Sequence, residues 1–184
     1  MAKQVKPVKR HANSSYLSEC MTEAALLELL SLECRVDGMG SIRYYNAHSQ
    51  LHRVHGPAVE YSRVGCEWYQ NGLLHRLDGP AVEHTDGYRA WWQNGQLHRI
   101  DGPAIVQSDG SREWVQNDLL HRIDGPAIVR PDGYRAWWQN GQLHRLDGPA
   151  VENSDGDCEW YINGEELTEA EWQQAAASME WCSA

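Results

Sequence analysis

The sequence predicts a mainly β protein: an elongated antiparallel sheet of stacked β-hairpin repeats, with an N-terminal helix and a C-terminal capping helix. Three observations predict it. Leu-His-Arg returns with its histidine at His52, His75, His98, His121 and His144, always 23 residues apart. Two turn dipeptides, Asp-Gly and Asn-Gly, hold fixed places within that period. Helical patterns flank the array on both sides.

Residues 1–15 form a basic arm, with Lys3, Lys6, Lys9 and Arg10 and no acid. A solvated, disordered tail is the expectation. Residues 16–40 read as an N-terminal helical cap, its helix running from Met21 to Cys34 through Leu26, Leu27, Leu29, Leu30 and Leu32. Cys20 and Cys34 would then lie about 20 Å apart on one helix, too far to bridge. Five cysteines is an odd number and no CxxC occurs, so reduced, structural thiols are expected rather than disulfides or zinc.

Residues 41–164 hold five to six repeats. Gly-Pro-Ala follows each histidine, beginning at Gly56, Gly79, Gly102, Gly125 and Gly148. Tryptophan recurs at Trp68, Trp91, Trp114, Trp137 and Trp160, with Tyr44 and Tyr45 in a worn half copy before them. Asparagine recurs at Asn71, Asn94, Asn117, Asn140 and Asn163. A longer period is superposed: Tyr88 to Arg99 is repeated without change from Tyr134 to Arg145. Strands on either side of each Asp-Gly turn make the hairpin. The return, Asn-Gly-x-Leu-His-Arg-x-Asp-Gly-Pro, reads as a shaped loop, because proline and glycine do not suit a central strand.

Residues 165–184 read as an acidic capping helix. Thr168 and Glu171 form a capping box, and Leu167 and Trp172 occupy the hydrophobic-staple positions. Trp172, Ala175, Ala176 and Met179 share the face that would close the last hairpin.

A unit of the form Trp-x-x-Asn-Gly-x-x-His, then Gly, then Asp-Gly resembles the MORN repeat and its bacterial variants. His-Arg-x-Asp-Gly-Pro-Ala with Trp and Asn-Gly is similar to repeat proteins of bacteriophages and bacteria, as is the ending Asn163 to Glu171. The pattern departs from MORN where Arg follows the His directly. The resemblance implies a curved sheet of hairpins used for protein or phospholipid contact. An inhibitor of a host defence protein, acting in the host cytoplasm, is the role it suggests.

Net charge is −10, but it is unevenly placed. No lysine or arginine follows Asn153, while eight acids do. Broad coating of duplex DNA or of an anionic membrane needs a positive surface that this chain lacks. No apolar stretch has secretory or membrane-spanning length, so a cytoplasmic protein is expected.

The sites follow from the repeat. Strand alternation puts Trp91 and Trp92 on opposite faces. The first position is assigned to the core. The second forms an aromatic stripe, Tyr69, Trp92, Trp138 and Tyr161, interspersed with Glu67, Glu113 and Glu159. Either a partner docks on that stripe, or a helix or sheet fold-back covers it. The acidic end (Glu165, Glu166, Glu169 and Glu171) is a second docking candidate. It also suggests an alternative, a decoy that mimics nucleic acid. A further alternative is a sponge for a small anionic ligand, held by Arg53, Arg76, Arg99, Arg122 and Arg145; pairing of those arginines with aspartate would disfavour it. A histidine near a carboxylate can bind metal, with His52 and His55 as the weak candidate pair, but five copies point to structure. No metal site and no cofactor are assigned. No P-loop, nucleophile elbow or recognisable Cys–His pair occurs, so the expectation is a non-enzymatic scaffold that binds another protein with a basic or aromatic-accepting surface. A homo-oligomer is compatible with this.

Overall fold

The computed structural model describes residues 23–180, with side chains from 27 to 178. The protein is mainly β. One antiparallel sheet of thirteen strands runs in strict chain order. It opens with β1 (Glu33–Val36), β2 (Ile42–Tyr45), β3 (Val59–Glu60) and β4 (Gly65–Glu67). Each later copy adds a pair: Val82–His84 with Arg89–Ala90, Ile105–Val106 with Arg112–Glu113, Ile128–Val129 with Arg135–Ala136, and Val151–Glu152 with Cys158–Ile162. Glu165–Leu167 closes the sheet. Helix α1 (Glu23–Ser31) precedes it and α2 (Glu169–Glu180) follows it.

Three expectations are corrected. The N-terminal helix stops at Ser31, so Cys34 lies in β1 and not on a helix. There, four residues gain registered partners, from Glu33 opposite Tyr45 to Val36 opposite Ile42. Asp37 closes this hairpin by accepting the N–H groups of Met39 and Ser41. The arm at 1–15, Cys20 and Met21 lie outside the described residues. At the other end, Glu165–Leu167 is a strand paired with Trp160–Ile162, and only then does the capping helix begin.

The third correction concerns the return. Its first half is a second hairpin, not a loop. β5 (Tyr69–Gln70) and β6 (Leu73–Leu74) flank Asn71 and Gly72, and the pattern recurs at Trp92–Gln93/Gln96–Leu97, Val115–Gln116/Leu119–Leu120 and Trp138–Gln139/Gln142–Leu143. Asn94 at φ 52° and Gly95 at 81° make the two-residue turn with two positive φ angles that matches strand twist. The Asp-Gly turns are of another kind. Only the glycine has positive φ (Gly87, 99°), while Asp86 accepts the Tyr88 N–H at 2.9 Å.

The repeated tryptophan is where the two hairpins meet. Trp91 donates its N–H to the Ala104 carbonyl (2.8 Å) and accepts the His98 N–H (3.1 Å). One peptide unit thus serves the long sheet, and the next serves the small hairpin. Tyr44 does the same with Ala58 and His52, which identifies the worn half copy structurally. Successive small hairpins are also stitched together, as by Arg99 N–H to the Val115 carbonyl (3.0 Å).

The core is thin. Ala58, Ala81, Ala104, Ala127 and Ala150 are fully buried, and Val59 is the largest side chain to be so. Each copy therefore contributes a small, equal increment, and its neighbours supply the rest.

Candidate functional site

The His-Arg-x-Asp-Gly-Pro-Ala string builds one structural device four times over. In the third copy the Arg99 guanidinium lies 4.1 Å above the Trp91 ring. Its Nε donates to Asp101 (2.9 Å) and its Nη1 to the Pro103 carbonyl (3.2 Å). Gly102 forms the opposite wall: a Cβ there would stand 2.9 Å from Arg99 Cζ. Close approach, not a positive φ, is why glycine is needed at this position. The same sandwich holds Arg76 on Trp68, Arg122 on Trp114 and Arg145 on Trp137. Glu83 and Glu152 add a second carboxylate for Arg76 and Arg145. The guanidinium beside each holds the carboxyls of Asp78, Asp101 and Asp124 below the usual range.

The histidine stitches copies together. Its Nδ1 accepts the N–H of the asparagine one copy on: His75 from Asn94, His121 from Asn140 and His144 from Asn163, each at 3.1 Å. These rings sit in structural bonds. Among the described residues, no three His, Cys, Asp or Glu side chains gather as a metal set.

Both ends of the array depart from the motif, and a helix fills each departure. In the first copy His55 stands where later copies have aspartate. There Arg53 stacks on Tyr44 at 4.2 Å and bonds Glu60, while Glu28 of α1 accepts the N–H groups of Val54 and His55. In the last copy Thr168 stands where arginine is due. Trp172 of α2 covers Trp160 instead, with ring centroids 4.5 Å apart, and its indole N–H donates to the Arg145 carbonyl (2.8 Å). The capping box that aims α2 is formed: Thr168 N–H to Glu171 at 2.9 Å.

Between these capped ends lies a feature that sequence reasoning missed. The variable residue of His-Arg-x-Asp is apolar in every copy and points outward in the middle three. Leu77 is 75% exposed, Ile100 77% and Ile123 79%. Beside them Asp78, Asp101 and Asp124 are almost fully exposed, whereas their arginines are mostly covered. Grooves separate adjacent loops. One, of about 580 Å³, includes Val54, Gly56, Trp68, His75 and Leu77. Another, of about 510 Å³, includes Ile100, Gly102, Trp114, His121 and Ile123. The signal in the sequence was an apolar residue inside a Gly-Pro loop, where loop composition is otherwise polar.

The aromatic stripe takes the other surface. Cross-strand partners put Val59, Glu67, Val82, Ala90, Ile105, Glu113, Ile128, Ala136, Val151 and Glu159 in one row on one face. Tyr69 reaches back along this face to bond Glu67 (3.0 Å), and Tyr161 likewise bonds Glu159 (3.4 Å). Tyr69, Trp92, Trp138 and Tyr161 are half-buried, and Val115, at the same position, is only 4% exposed. Glu67, Glu113 and Glu159 are half-buried as well. The Trp92 and Trp138 indole nitrogens are buried with no acceptor among the described residues. Both belong to copies with alanine (Ala90 and Ala136) rather than glutamate two residues earlier, which pairs the large ring with the short side chain. The stripe is thus more a packed layer than an open one.

The acidic end is open. Glu165, Glu166, Glu169 and Glu171 are all exposed, with Glu171 engaged by Thr168. Cys66 and Cys158 carry free thiols, and burial pushes that of Cys66 up. Among the described residues no helix is long and apolar enough to cross a membrane. Comparison with protein-family models and with curated proteins returns no match.

Proposed function

We propose that the protein is a non-enzymatic repeat scaffold that binds another protein. A MORN-like array that inhibits a host defence factor, carried by a phage and working in the cytoplasm, is the setting we favour. The row of Leu77, Ile100 and Ile123 carries this reading. Three large apolar side chains recur at one structural position, each more than 70% exposed, and such a row is the kind of surface that a partner covers. Covering each adds roughly 1.5–3 kcal/mol. The half-buried aromatic layer and the exposed glutamates of the acidic end supply further contact on the remaining surfaces.

The rival readings have weaker support. An anion sponge needs uncommitted arginines, but Arg76, Arg99, Arg122 and Arg145 are each stacked and paired with aspartate. A nucleic-acid decoy needs a run of free carboxylates; Glu165, Glu166 and Glu169 are exposed, but Glu171 is engaged in the helix cap, which shortens the run to three. Affinity capture from host lysate, with the full chain against Leu77→Ser/Ile100→Ser/Ile123→Ser, tests the proposal. A stoichiometric partner held by the first and lost by the second is expected. Equal retention by both would remove the row from the reading.

A further inference from the structure

The row of return loops has a definite pitch, and that pitch selects the shape of what can lie on it. Successive copies are two strands apart, which is about 10 Å. Leu77, Ile100 and Ile123 therefore form a line of three apolar contacts spanning about 20 Å, each next to an exposed aspartate. The charge facing solvent along this line is negative. Each arginine of the loop is sunk between a tryptophan ring and a glycine, so its carboxylate partner is the group presented.

We infer that this row seats a basic amphipathic helix of a partner protein. The inference rests on the partner-binding reading above and specifies the partner's chemistry. Three arguments carry it. First, the chain's own helices already sit on the equivalent loops at both ends. Glu28 of α1 bonds the loop at Val54 and His55, and Trp172 of α2 bonds the loop at Arg145. The neighbouring apolar residue is correspondingly less exposed there. Val54 is 48% exposed and Leu146 is half-buried, against more than 70% for the three between. A third helix on the middle loops continues an interface the molecule already uses.

Second, the pitch fits a helix. Residues seven apart on a helix rise about 10.5 Å and share a face, so positions i, i+7 and i+14 meet the three loops in turn. A β-strand does not fit. Three residues of strand cover about 10 Å, but the third points to the opposite face. Third, the aspartates specify charge. Lysine or arginine beside each apolar contact would meet Asp78, Asp101 and Asp124. Glutamate would be repelled there; Glu28 is accepted in the first copy, where His55 replaces the aspartate.

The test is selection of a displayed library of random 20-residue peptides on the full-length protein, with the Leu77→Ser/Ile100→Ser/Ile123→Ser variant as counter-selection. All three substituted side chains are exposed, so the variant should keep its fold, which circular dichroism and a thermal melt verify. Enriched peptides are expected to carry large apolar residues at seven-residue spacing with Lys or Arg adjacent. Binding should weaken at least tenfold when those basic residues become Glu, and should be lost on the variant. Proline-rich peptides with a period of three, a period-two strand pattern, acidic peptides, or no enrichment would each overturn the helix inference. So would concentration-dependent self-association abolished by the variant, which would make a second copy the occupant. If lysate capture depends on the row while selection yields no helical pattern, the partner reading stands and the helix is wrong. If neither depends on the row, both fall.

Discussion

Trp172 lies over Trp160 at 4.5 Å, in the place where an arginine covers the aromatic ring of every earlier copy. The array therefore ends by changing the chemistry of its lid and not its geometry. A cation on an aromatic ring gives way to a second ring, and the helix that brings it also ends the sheet.

Trp172→Ala should accordingly unfasten the last copy. It uncovers Trp160 and removes the indole bond to Arg145, a loss of about 2–4 kcal/mol. Hydrogen exchange should rise first at Glu165–Leu167 and at Cys158–Ile162. Uniform acceleration across all copies would show that the helix is not a local cap.

Gly102→Ala should displace Arg99 from Trp91, because the new methyl meets the guanidinium carbon at 2.9 Å. A destabilisation of about 1–3 kcal/mol is expected from overpacking. Gly38→Ala is the control, since nothing lies within 4 Å of a Cβ there. Adding Arg99→Ala to Gly102→Ala should cost less than the two single changes together, since both act on one contact. Strict additivity in urea unfolding would break the argument.

His121→Ala removes the acceptor of the Asn140 N–H and should cost about 1 kcal/mol. His121→Asn, with a carbonyl oxygen on a shorter stem, should recover only part of this. Amide exchange at Asn140 reports the outcome directly; an unchanged rate would mean the bond does not form in solution.

Acid should loosen the loops and the β1–β2 hairpin. Asp37, bonded to Arg43 and to two N–H groups, has its carboxyl lowered to about 2. Arg76, Arg99 and Arg122 lower Asp78, Asp101 and Asp124. Folded values below unfolded ones mean a contribution complete above about pH 4 and lost as pH falls through the folded values. Carboxyl carbon shifts over this range test it, and an Asp37 midpoint near 3.8 would refute it.

Base should act on the aromatic layer. Burial, with Glu67 nearby, raises the phenols of Tyr61 and Tyr69, and burial with Glu113 raises that of Tyr88. Folded values above unfolded ones mean stability present below about pH 10 and lost as these groups ionise. In a spectrophotometric titration Tyr69→Phe should delete a late-titrating phenol. Loss of an early-titrating one would place Tyr69 in solvent.

Much of the sheet was legible because a period constrains it. Asp86–Gly87 and Asn94–Gly95 are local turn signals, and two local signals each repeated four times leave little freedom in strand order. The capping box of Thr168 and Glu171 is likewise a three-residue relation and forms as read. The second hairpin was not legible. Its strands are two residues long, and the second ends on the Leu of Leu-His-Arg-x-Asp-Gly-Pro, which masks it as loop. The end of α1 was hidden for a related reason. Cys34 and Val36 suit either state, and only pairing with Tyr44 and Ile42 settles it.

The chain alone fixes how many units there are, where each turns, and that arginine and aspartate recur together. Those are relations within one period, and they require only backbone turn preferences and short-range pairing. Folding adds what depends on neighbouring copies. It puts Tyr69, Trp92, Trp138 and Tyr161 into a half-buried layer, because successive strands bring their shared face together. It covers the arginines with Trp and Gly, and it leaves Leu77, Ile100 and Ile123 in water. A side chain's exposure is set by what the next copy lays beside it, and no single period contains that information.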